Sequence, residues 1–337
     1  MPSVIHSYPL YGLSVVSNTP IPGLWRNSTD VQSADILLEI NSDPPGWVHA
    51  ARDLIPAKRH RRNEYGETAD SSCSVVVRGL KEFFELKYGD GTEFVIDAAG
   101  KRLWGTCSSP LTIEDLADYF RGPVMGLILR LRNITALHAS VLNFAGQAIV
   151  LCGESAAGKS TTAAALALRG IPVLSEDVAA LEIENDKFQV HAGHPRISLW
   201  RDSVETLLGS AHALCQVSPT WGKCYLPLDG NLAKFESERR PLGAIYLLAP
   251  RTADHSGPRI KDISAREAFL HLVRNTYMNW LLDREQRAAE FAVLSQLATQ
   301  VPVRRIVPHV DPARLAALCD LIFADVESLQ NCQALRL

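Results

Sequence analysis

The sequence lacks the features that would assign it to a membrane, secreted or zinc-binding class. No apolar run approaches the roughly 20 residues that a bilayer-spanning helix needs. The opening stretch, MPSVIHSYPLYGLSVV, has no basic segment followed by an apolar one, as a secretory signal would. Its seven cysteines form neither a CxxC pair nor a metal-ligand spacing. We therefore expect a cytoplasmic protein with reduced thiols, no membrane association, and Cys152 as a small buried core residue.

A strong charge of either sign is also missing. The formal net charge of −3 predicts no general attraction to nucleic acid or to an anionic membrane. Hydrophobic residues make up 47% of the chain and charged residues 21%, which is ordinary for a globular protein. We find no internal repeat and no low-complexity tract. With 337 residues, the chain is long enough for two domains, each with its own core.

The residue composition and hydrophobic pattern change along the chain. Residues 1–110 contain short β-type runs separated by proline, glycine, asparagine and aspartate, which predicts a small β-rich, α+β N-terminal domain. The basic stretch at 52–67, RDLIPAKRHRRNEYGE, is interpreted as a solvated loop, with a patch for an acidic peptide as the alternative. A capped helix is predicted to begin near 110. Residues 111–337 are predicted to form the second, α/β domain.

A glycine-rich stretch in the second domain carries the clearest chemical signal. Gly153-x4-Gly158-Lys159-Ser160 (the Walker A pattern) follows a β-type run and precedes an Ala- and Leu-rich helix. Such a loop points successive backbone N–H groups at phosphate oxygens, and the helix N-terminus adds partial positive charge. We expect Lys159 to contact the β- and γ-phosphates of ATP and Ser160 to ligate Mg²⁺. The predicted nucleotide-binding residues are Gly153, Glu154, Ser155, Ala156, Ala157, Gly158, Lys159, Ser160 and Thr161.

Two acids and a histidine flank this loop in sequence. Glu176 and Asp177 follow Lys159 by 17 and 18 residues, about the length of one helix and a returning strand. Adjacent residues on a strand face opposite sides, so we expect the two acids to have different roles, one holding Mg²⁺ and one accepting a hydroxyl proton. Which acid does which stays open. His138, on the first strand of the preceding hairpin, is expected to orient a carboxylate or touch a phosphate.

These residues together resemble a known family. The stretch from Leu137 to Leu181 resembles the catalytic core of bacterial HPr kinase/phosphorylase, a carboxykinase-like P-loop fold with a mixed sheet and flanking helices. The resemblance implies a serine kinase that uses ATP and Mg²⁺. It also implies active-site roles at five positions: His138, Lys159, Ser160, Glu176 and Asp177. The acid pair is Glu-Asp here and Asp-Asp in that family, and its downstream Arg-Gly-Leu-Gly signature is not found.

The layout of the whole chain is similar to that of HPr-kinase-like proteins from lasso-peptide biosynthesis clusters. That resemblance implies phosphorylation of a precursor peptide at its C-terminal serine, with the N-terminal domain as a candidate for acceptor or leader recognition. Arg196 and Lys223 are the candidate contacts to the acceptor or the γ-phosphate. HPr kinases assemble as hexamers, so a homo-oligomer is left open.

Two other functions remain compatible with the same residues. The first is a kinase of a free small hydroxylated metabolite such as serine, which would need a closed acceptor pocket in place of an open groove. The second is a regulatory protein that senses nucleotide by binding ATP and transfers nothing. A bifunctional kinase/phosphorylase acting on HPr is disfavoured by the missing signature.

Overall fold

The computed structural model describes residues 5–26, 34–44, 46, 48, 57–63, 72–78, 83–254 and 257–334. Its internal contacts divide the chain into two compact units. The first contains residues 1–132 together with 217–221, and the second contains residues 133–216 and 222–337. The helical segment that the sequence analysis assigned to the start of the second domain thus belongs to the first unit, and the division falls later in the chain than residue 110.

The first unit is built on an eight-stranded sheet. Its strands are β1 (His6–Leu10), β2 (Leu13–Ser17), β3 (Ile36–Ile40), β4 (Ala57–Asn63), β5 (Ser72–Arg78), β6 (Phe83–Tyr88), β7 (Glu93–Asp97) and β8 (Arg102–Thr106). They lie in the order β1-β2-β3-β8-β7-β6-β5-β4. β3 is parallel to both of its neighbours, and the other pairs are antiparallel. The β-rich character predicted for this part of the chain is confirmed.

The basic run at 52–67 was expected to be a solvated loop. That expectation is wrong for residues 57–63, which form β4 and pair along their full length with β5. The rest of the run lies outside the described residues. β4 is the last strand in the described order of the sheet. Terminal strands commonly carry charged residues, which discourage pairing with other chains. A high density of arginine is therefore compatible with a strand at this position.

The helical segment of the first unit is not one regular helix. It consists of α1 (Ile113–Tyr119), a π-helical turn (Phe120–Val124) and α2 (Met125–Leu131). Pro123 lies inside the turn and cannot donate a backbone hydrogen bond, which explains the local widening. Asp115 caps α1 by accepting from Thr112, and it also accepts hydrogen bonds from the hydroxyls of Ser218 and Thr220. These bonds tie the 217–221 segment to this unit.

The second unit has ten strands and five α-helices within its described residues. The strands are β9 (Thr135–Phe144), β10 (Gln147–Gly153), β11 (Val173–Ser175), β12 (Val178–Glu184), β13 (Lys187–Val190), β14 (Arg196–Trp200), β15 (Lys223–Pro227), β16 (Arg240–Leu248), β17 (Arg259–Asp262) and β18 (Val303–Val307). The helices are α3 (Lys159–Ala167), α4 (Arg201–Leu208), α5 (Ala265–Arg274), α6 (Arg284–Gln300) and α7 (Leu315–Ala334), with short 3₁₀ turns at Asn279–Leu281 and Pro312–Arg314.

The main sheet of this unit is mixed. β9 pairs with β10 along one edge and with β11 and β12 along the other. On its far side β10 runs parallel to β16, which runs parallel to β18. β11 and β12 therefore lie two strands from β10 on one side, and β16 lies next to β10 on the other side. This α/β arrangement confirms the predicted fold class.

Helices cover both faces of the sheet. Along β10, Ile149 and Leu151 pack into a core that includes α3 and α7. The alternate residues Val150 and Cys152 pack into a second core with α5 and α6. This alternation is the two-residue period of a strand buried on both faces. Burial raises the pKa of the Cys152 thiol to about 12, as suits a core residue.

In the described part of the chain, no helix combines the length and the apolar character needed to span a membrane.

Candidate functional site

The glycine-rich loop (Gly153–Ser160) connects β10 to α3, as the sequence predicts. Gly153 has φ of 158°, Ala156 of 62° and Gly158 of 101°. A Cβ placed on Gly153 would lie 2.9 Å from the carbonyl oxygen of Leu248, at the end of β16. Glycine at 153 is thus required by the close approach of a neighbouring strand. Glycine at 158 is favoured by the left-handed backbone from which α3 starts.

Lys159 is the cation at the centre of this loop. Its Nζ donates hydrogen bonds to the carbonyl oxygens of Gly153, at 2.8 Å, and Glu154, at 3.0 Å. The residue is only 7% exposed. Burial lowers its pKa, while the negative charges of Asp177 and Glu176 act in the opposite direction. The loop backbone therefore fixes the position of the ammonium group beside both acids.

Ser160 and Glu176 are in direct contact. The Ser160 hydroxyl donates to Oε1 of Glu176 at 2.8 Å, and Glu176 is only 5% exposed. A hydroxyl from the first turn of α3 thus meets a carboxylate from the strand that returns beside β9. The contact sets two oxygen atoms side by side at the end of the glycine-rich loop.

Asp177 occupies an unusual backbone conformation. Its φ is +70°, in the left-handed region that non-glycine residues seldom adopt. The conformation is held by two hydrogen bonds to its carbonyl oxygen, from the backbone N–H of Ala139 at 3.1 Å and from the hydroxyl of Tyr277 at 2.8 Å. The side chain is held by His138, whose Nε2 lies 3.1 Å from Oδ1 of Asp177. A strained residue held at several points is typical of functional sites.

The charges around Asp177 stabilise its ionised form. Burial alone would raise the pKa of this carboxyl group. The hydrogen bond and charge of His138 and the charges of Lys223 and Lys159 more than offset that effect, so the pKa lies well below its ordinary value. Asp177 is therefore a carboxylate at neutral pH. In turn, the negative charge of Asp177 acts to raise the pKa of Lys159. Asp177 is thus linked electrostatically to both His138 and Lys159.

The acid pair differs in one respect from the expectation drawn from the sequence. We expected Glu176 and Asp177 to face opposite sides of a continuous strand. The strand is interrupted between β11 and β12, and the two acids lie in the break. Glu176 contacts Ser160 and Asp177 contacts His138. The two acids do have different partners, but the break, rather than strand alternation, is what directs them.

The remaining predicted residues also belong to the second unit. The Thr161 hydroxyl shares a 2.9 Å hydrogen bond with Ser203 of α4. The two predicted cations are on the antiparallel strand pair β14–β15. Lys223 Nζ lies 5.3 Å from the ring centre of Trp200, and the guanidinium carbon of Arg196 lies 4.0 Å from that of Tyr225. Trp200 is 60% exposed.

Two residues near the site were not singled out from the sequence. Tyr277 follows α5 and reaches Asp177, a relationship across 100 residues that no local pattern reveals. Arg251 follows β16, and its Nη2 lies 3.3 Å from where a Cβ on Gly158 would be. A signal for Arg251 was present, because a residue just past a buried strand lies at the carboxyl edge of the sheet, where ligand sites form.

The oxygens at the loop fit a magnesium ion. Within the described ranges, no group of three or more His, Cys, Asp or Glu side chains forms a metal cage. Mg²⁺ in phosphate-transfer sites is usually held by one or two protein oxygens together with phosphate oxygens. Ser160 with Glu176, and Asp177 close by, offer hard oxygen donors of this kind. The donor set suits Mg²⁺ better than a softer metal.

Comparison with known proteins gives a partial match. No family model matches the chain. Over 153 residues it is 27% identical to an HPr kinase/phosphorylase from Clostridium beijerinckii, covering 45% of this chain and 46% of that protein. Over 136 residues it is 30% identical to an HPr kinase/phosphorylase from Clostridium perfringens, covering 40% of each. The chain thus spans less than half the length of the curated relatives that it matches.

Among solved structures, the chain is similar to the HPr(Ser) kinase/phosphatase from Coxiella burnetii. The two chains are 15% identical, and the TM-score is 0.32 with 58% of this chain and 98% of the other covered. That score is too low to support an argument about function. The sequence matches are the stronger finding, and they show that part of this chain is distantly similar to HPr kinase/phosphorylase.

Proposed function

We propose that this protein is an ATP- and Mg²⁺-dependent kinase that transfers the γ-phosphoryl group to a serine hydroxyl of a peptide. The observation that carries the proposal is the setting of Asp177. It is an ionised carboxylate bonded to His138 and electrostatically coupled to Lys159 of a glycine-rich loop. A protein that only held nucleotide would need the loop but not this strained, multiply held acid. The distant similarity to HPr kinase/phosphorylase supports the same activity.

In the proposed reaction, the acceptor oxygen attacks the γ-phosphorus in line with the leaving oxygen. A bond forms between the serine oxygen and phosphorus, the bond from phosphorus to the β,γ-bridging oxygen breaks, and ADP leaves. When bound, Mg²⁺ would neutralise negative charge on the phosphates. Lys159 and the loop N–H groups stabilise the spreading negative charge, and Ser160 with Glu176 offers the oxygens that would hold the metal.

Asp177 is proposed to accept the proton of the acceptor hydroxyl. Its strongly lowered pKa makes it a weak base, so its main contribution is to align the hydroxyl and to receive the proton late in the transfer. His138 keeps the carboxylate oriented. Glu176 is then the better candidate for the metal, because its contact is with the Ser160 hydroxyl.

The acceptor is proposed to be a peptide, with the C-terminal serine of a lasso-peptide precursor as the specific candidate. The outward face of the antiparallel β14–β15 pair supports an acceptor with negative charge, since it carries both Arg196 and Lys223. The charge of Lys223 lowers the pKa of Asp177, so this face adjoins the acid. The first unit is proposed to recognise the peptide, with the basic strand β4 as its candidate contact.

The direct test is transfer of ³²P from γ-labelled ATP. Purified protein is incubated with Mg²⁺ and two sets of acceptors: serine-containing precursor peptides encoded by neighbouring genes, and free serine. Label on a peptide serine, lost when that serine is replaced by alanine, supports the proposal. Label on free serine alone would favour a metabolite kinase. ATP binding without any transfer would favour a nucleotide sensor and would overturn the proposed activity.

A further inference from the structure

Arg251 lies directly against the glycine-rich loop. An ideal Cβ on Gly158 would be 3.3 Å from Nη2 of Arg251, so the guanidinium group borders the residue that immediately precedes Lys159. The side chain is exposed. Within the described ranges, no carboxylate lies at salt-bridge distance from it. An arginine in this position has its donors available for a ligand on the loop.

Other arginines on the neighbouring strands are already neutralised. Arg304 pairs with Asp262 and Asp325, and Arg305 pairs with Glu267. Each of these guanidinium groups has a carboxylate within 3.1 Å. Arg251 therefore differs from its neighbours, which act as structural cross-links. Among the residues that the structure describes, no acid compensates its charge beside the loop.

The backbone on both sides of Arg251 is fixed. The N–H of Ala249 donates to Ile306 at 2.8 Å, and that of Thr252 donates to Pro308 at 2.9 Å. The carbonyl of Thr252 in turn accepts from Val310 at 2.9 Å. The segment after β16 is thus tied to the segment after β18. A side chain carried on such a pinned segment is placed beside the loop before any ligand arrives.

The strand order indicates which end of a nucleotide Arg251 would meet. Asp177 lies on one side of β10, beyond β9, in the break between β11 and β12. Arg251 follows β16, on the opposite side of β10. If the γ-phosphate faces Asp177, as the proposed function requires, the rest of the nucleotide leads away from the acid toward β16. Arg251 then flanks the nucleoside monophosphate end.

We propose that Arg251 is a nucleotide-binding residue that contacts the α-phosphate and ribose end of ATP and does not take part in transfer. This inference rests on the proposed function. The planar fork of guanidinium donors suits a phosphate oxygen pair, and its face can stack on a base. Because ATP and ADP share this end, Arg251 serves substrate and product alike.

The test compares affinities of the full-length protein for ATP, ADP and inorganic tripolyphosphate, measured by calorimetry with Mg²⁺. Arg251→Ala should weaken ATP and ADP binding by the same factor, about tenfold for loss of a charge-assisted contact. Binding of tripolyphosphate should change less than twofold. Arg251→Lys, which keeps the charge but not the fork, should fall between wild type and Arg251→Ala.

Arg169→Ala is the matched control. Arg169 lies just past the far end of α3 and pairs with Asp320, so its loss changes net charge equally without touching the loop. If Arg251→Ala weakened ATP binding but left ADP binding unchanged, Arg251 would contact the γ-phosphate, and the inference would be overturned. Unchanged binding of both nucleotides would overturn it as well. Absence of ATP binding by the wild-type protein would instead reject the proposed function itself.

Discussion

The hydroxyl of Tyr277 donates a 2.8 Å hydrogen bond to the main-chain carbonyl of Asp177, and not to its carboxylate. Tyr277 therefore holds the backbone that aims the acid, while His138 holds the acid itself. The bond is made at a residue with φ of +70°, where the chain would relax toward an ordinary strand without support. Orientation of the Asp177 carboxylate is thus divided between two aromatic residues from different elements.

Tyr277→Phe is expected to lower kcat about three- to tenfold without changing the affinity for ATP. Loss of one buried hydrogen bond should also lower the free energy of unfolding by about 1 kcal/mol. Tyr246→Phe is the control, because it removes a hydrogen bond to Asp325 in the core between β16 and α7. It should lower stability to a similar extent and leave kcat unchanged. Equal kcat losses in both variants would show that Tyr277 acts only through stability.

Asp177→Asn is expected to reduce phosphoryl transfer by at least about 100-fold, the usual scale for loss of a proton-handling group. The fold should survive, since asparagine tolerates a left-handed backbone. Asp186→Asn makes the same chemical change at another aspartate with positive φ, in the turn between β12 and β13. The effect is measured by the initial rate of phosphoryl transfer and the ATP affinity of both variants. Undiminished transfer by Asp177→Asn would remove that residue from the mechanism.

Ser160→Ala is expected to raise the Mg²⁺ concentration needed for half-maximal transfer while changing stability little. The physical reason is the loss of a hydroxyl that lies 2.8 Å from Glu176 and is proposed to be one of the two metal ligands. Ser203→Ala removes a hydroxyl with a comparable 2.9 Å contact to Thr161 and serves as the control. Overlapping metal titrations for wild type and Ser160→Ala would contradict the assignment.

Gly153→Ala is expected to cost about 1–3 kcal/mol of folding stability and to abolish ATP binding, because the new methyl group would collide with the Leu248 carbonyl. Gly170→Ala provides the comparison. Gly170 also has a positive φ, but nothing lies within 4 Å of its added Cβ. Comparison of the two variants separates the loss of stability caused by a Cβ at positive φ from the loss caused by collision with the Leu248 carbonyl. Thermal unfolding and calorimetry with ATP measure both effects.

The lowered pKa of Asp177 predicts a definite pH dependence of stability. Its folded-state pKa lies below that of an unfolded aspartate, about 3.9, so the carboxylate stabilises the fold above that pH. The contribution is lost as pH falls from there toward the folded-state value. The stability difference between wild type and Asp177→Asn should therefore shrink as the pH falls below about 4. Denaturant unfolding at several pH values measures it, and a difference that grew on acidification would contradict the charge assignment.

Much of the second unit could be predicted locally. The hairpin β9–β10, the glycine-rich loop and α3 follow from patterns within a few residues of one another, and the structure has all three. The helix around Pro123 was predicted as continuous because sequence periodicity does not register a single missing N–H donor. The basic strand β4 was missed because charge patterning suggested solvent, while pairing with β5 is decided at a distance.

The amino-acid sequence by itself determined the chemical inventory of this protein: a glycine-rich loop, a lysine, two adjacent acids and a histidine at set spacings. Those signals are short-range, since backbone conformation and strand or helix preference depend on neighbouring residues. Only the tertiary structure decided which groups meet. The break between β11 and β12 turns Glu176 toward Ser160 and Asp177 toward His138. Tyr277 supports the backbone of Asp177, and Arg251 lies beside Gly158. All of these contacts depend on strand order and on packing between distant segments.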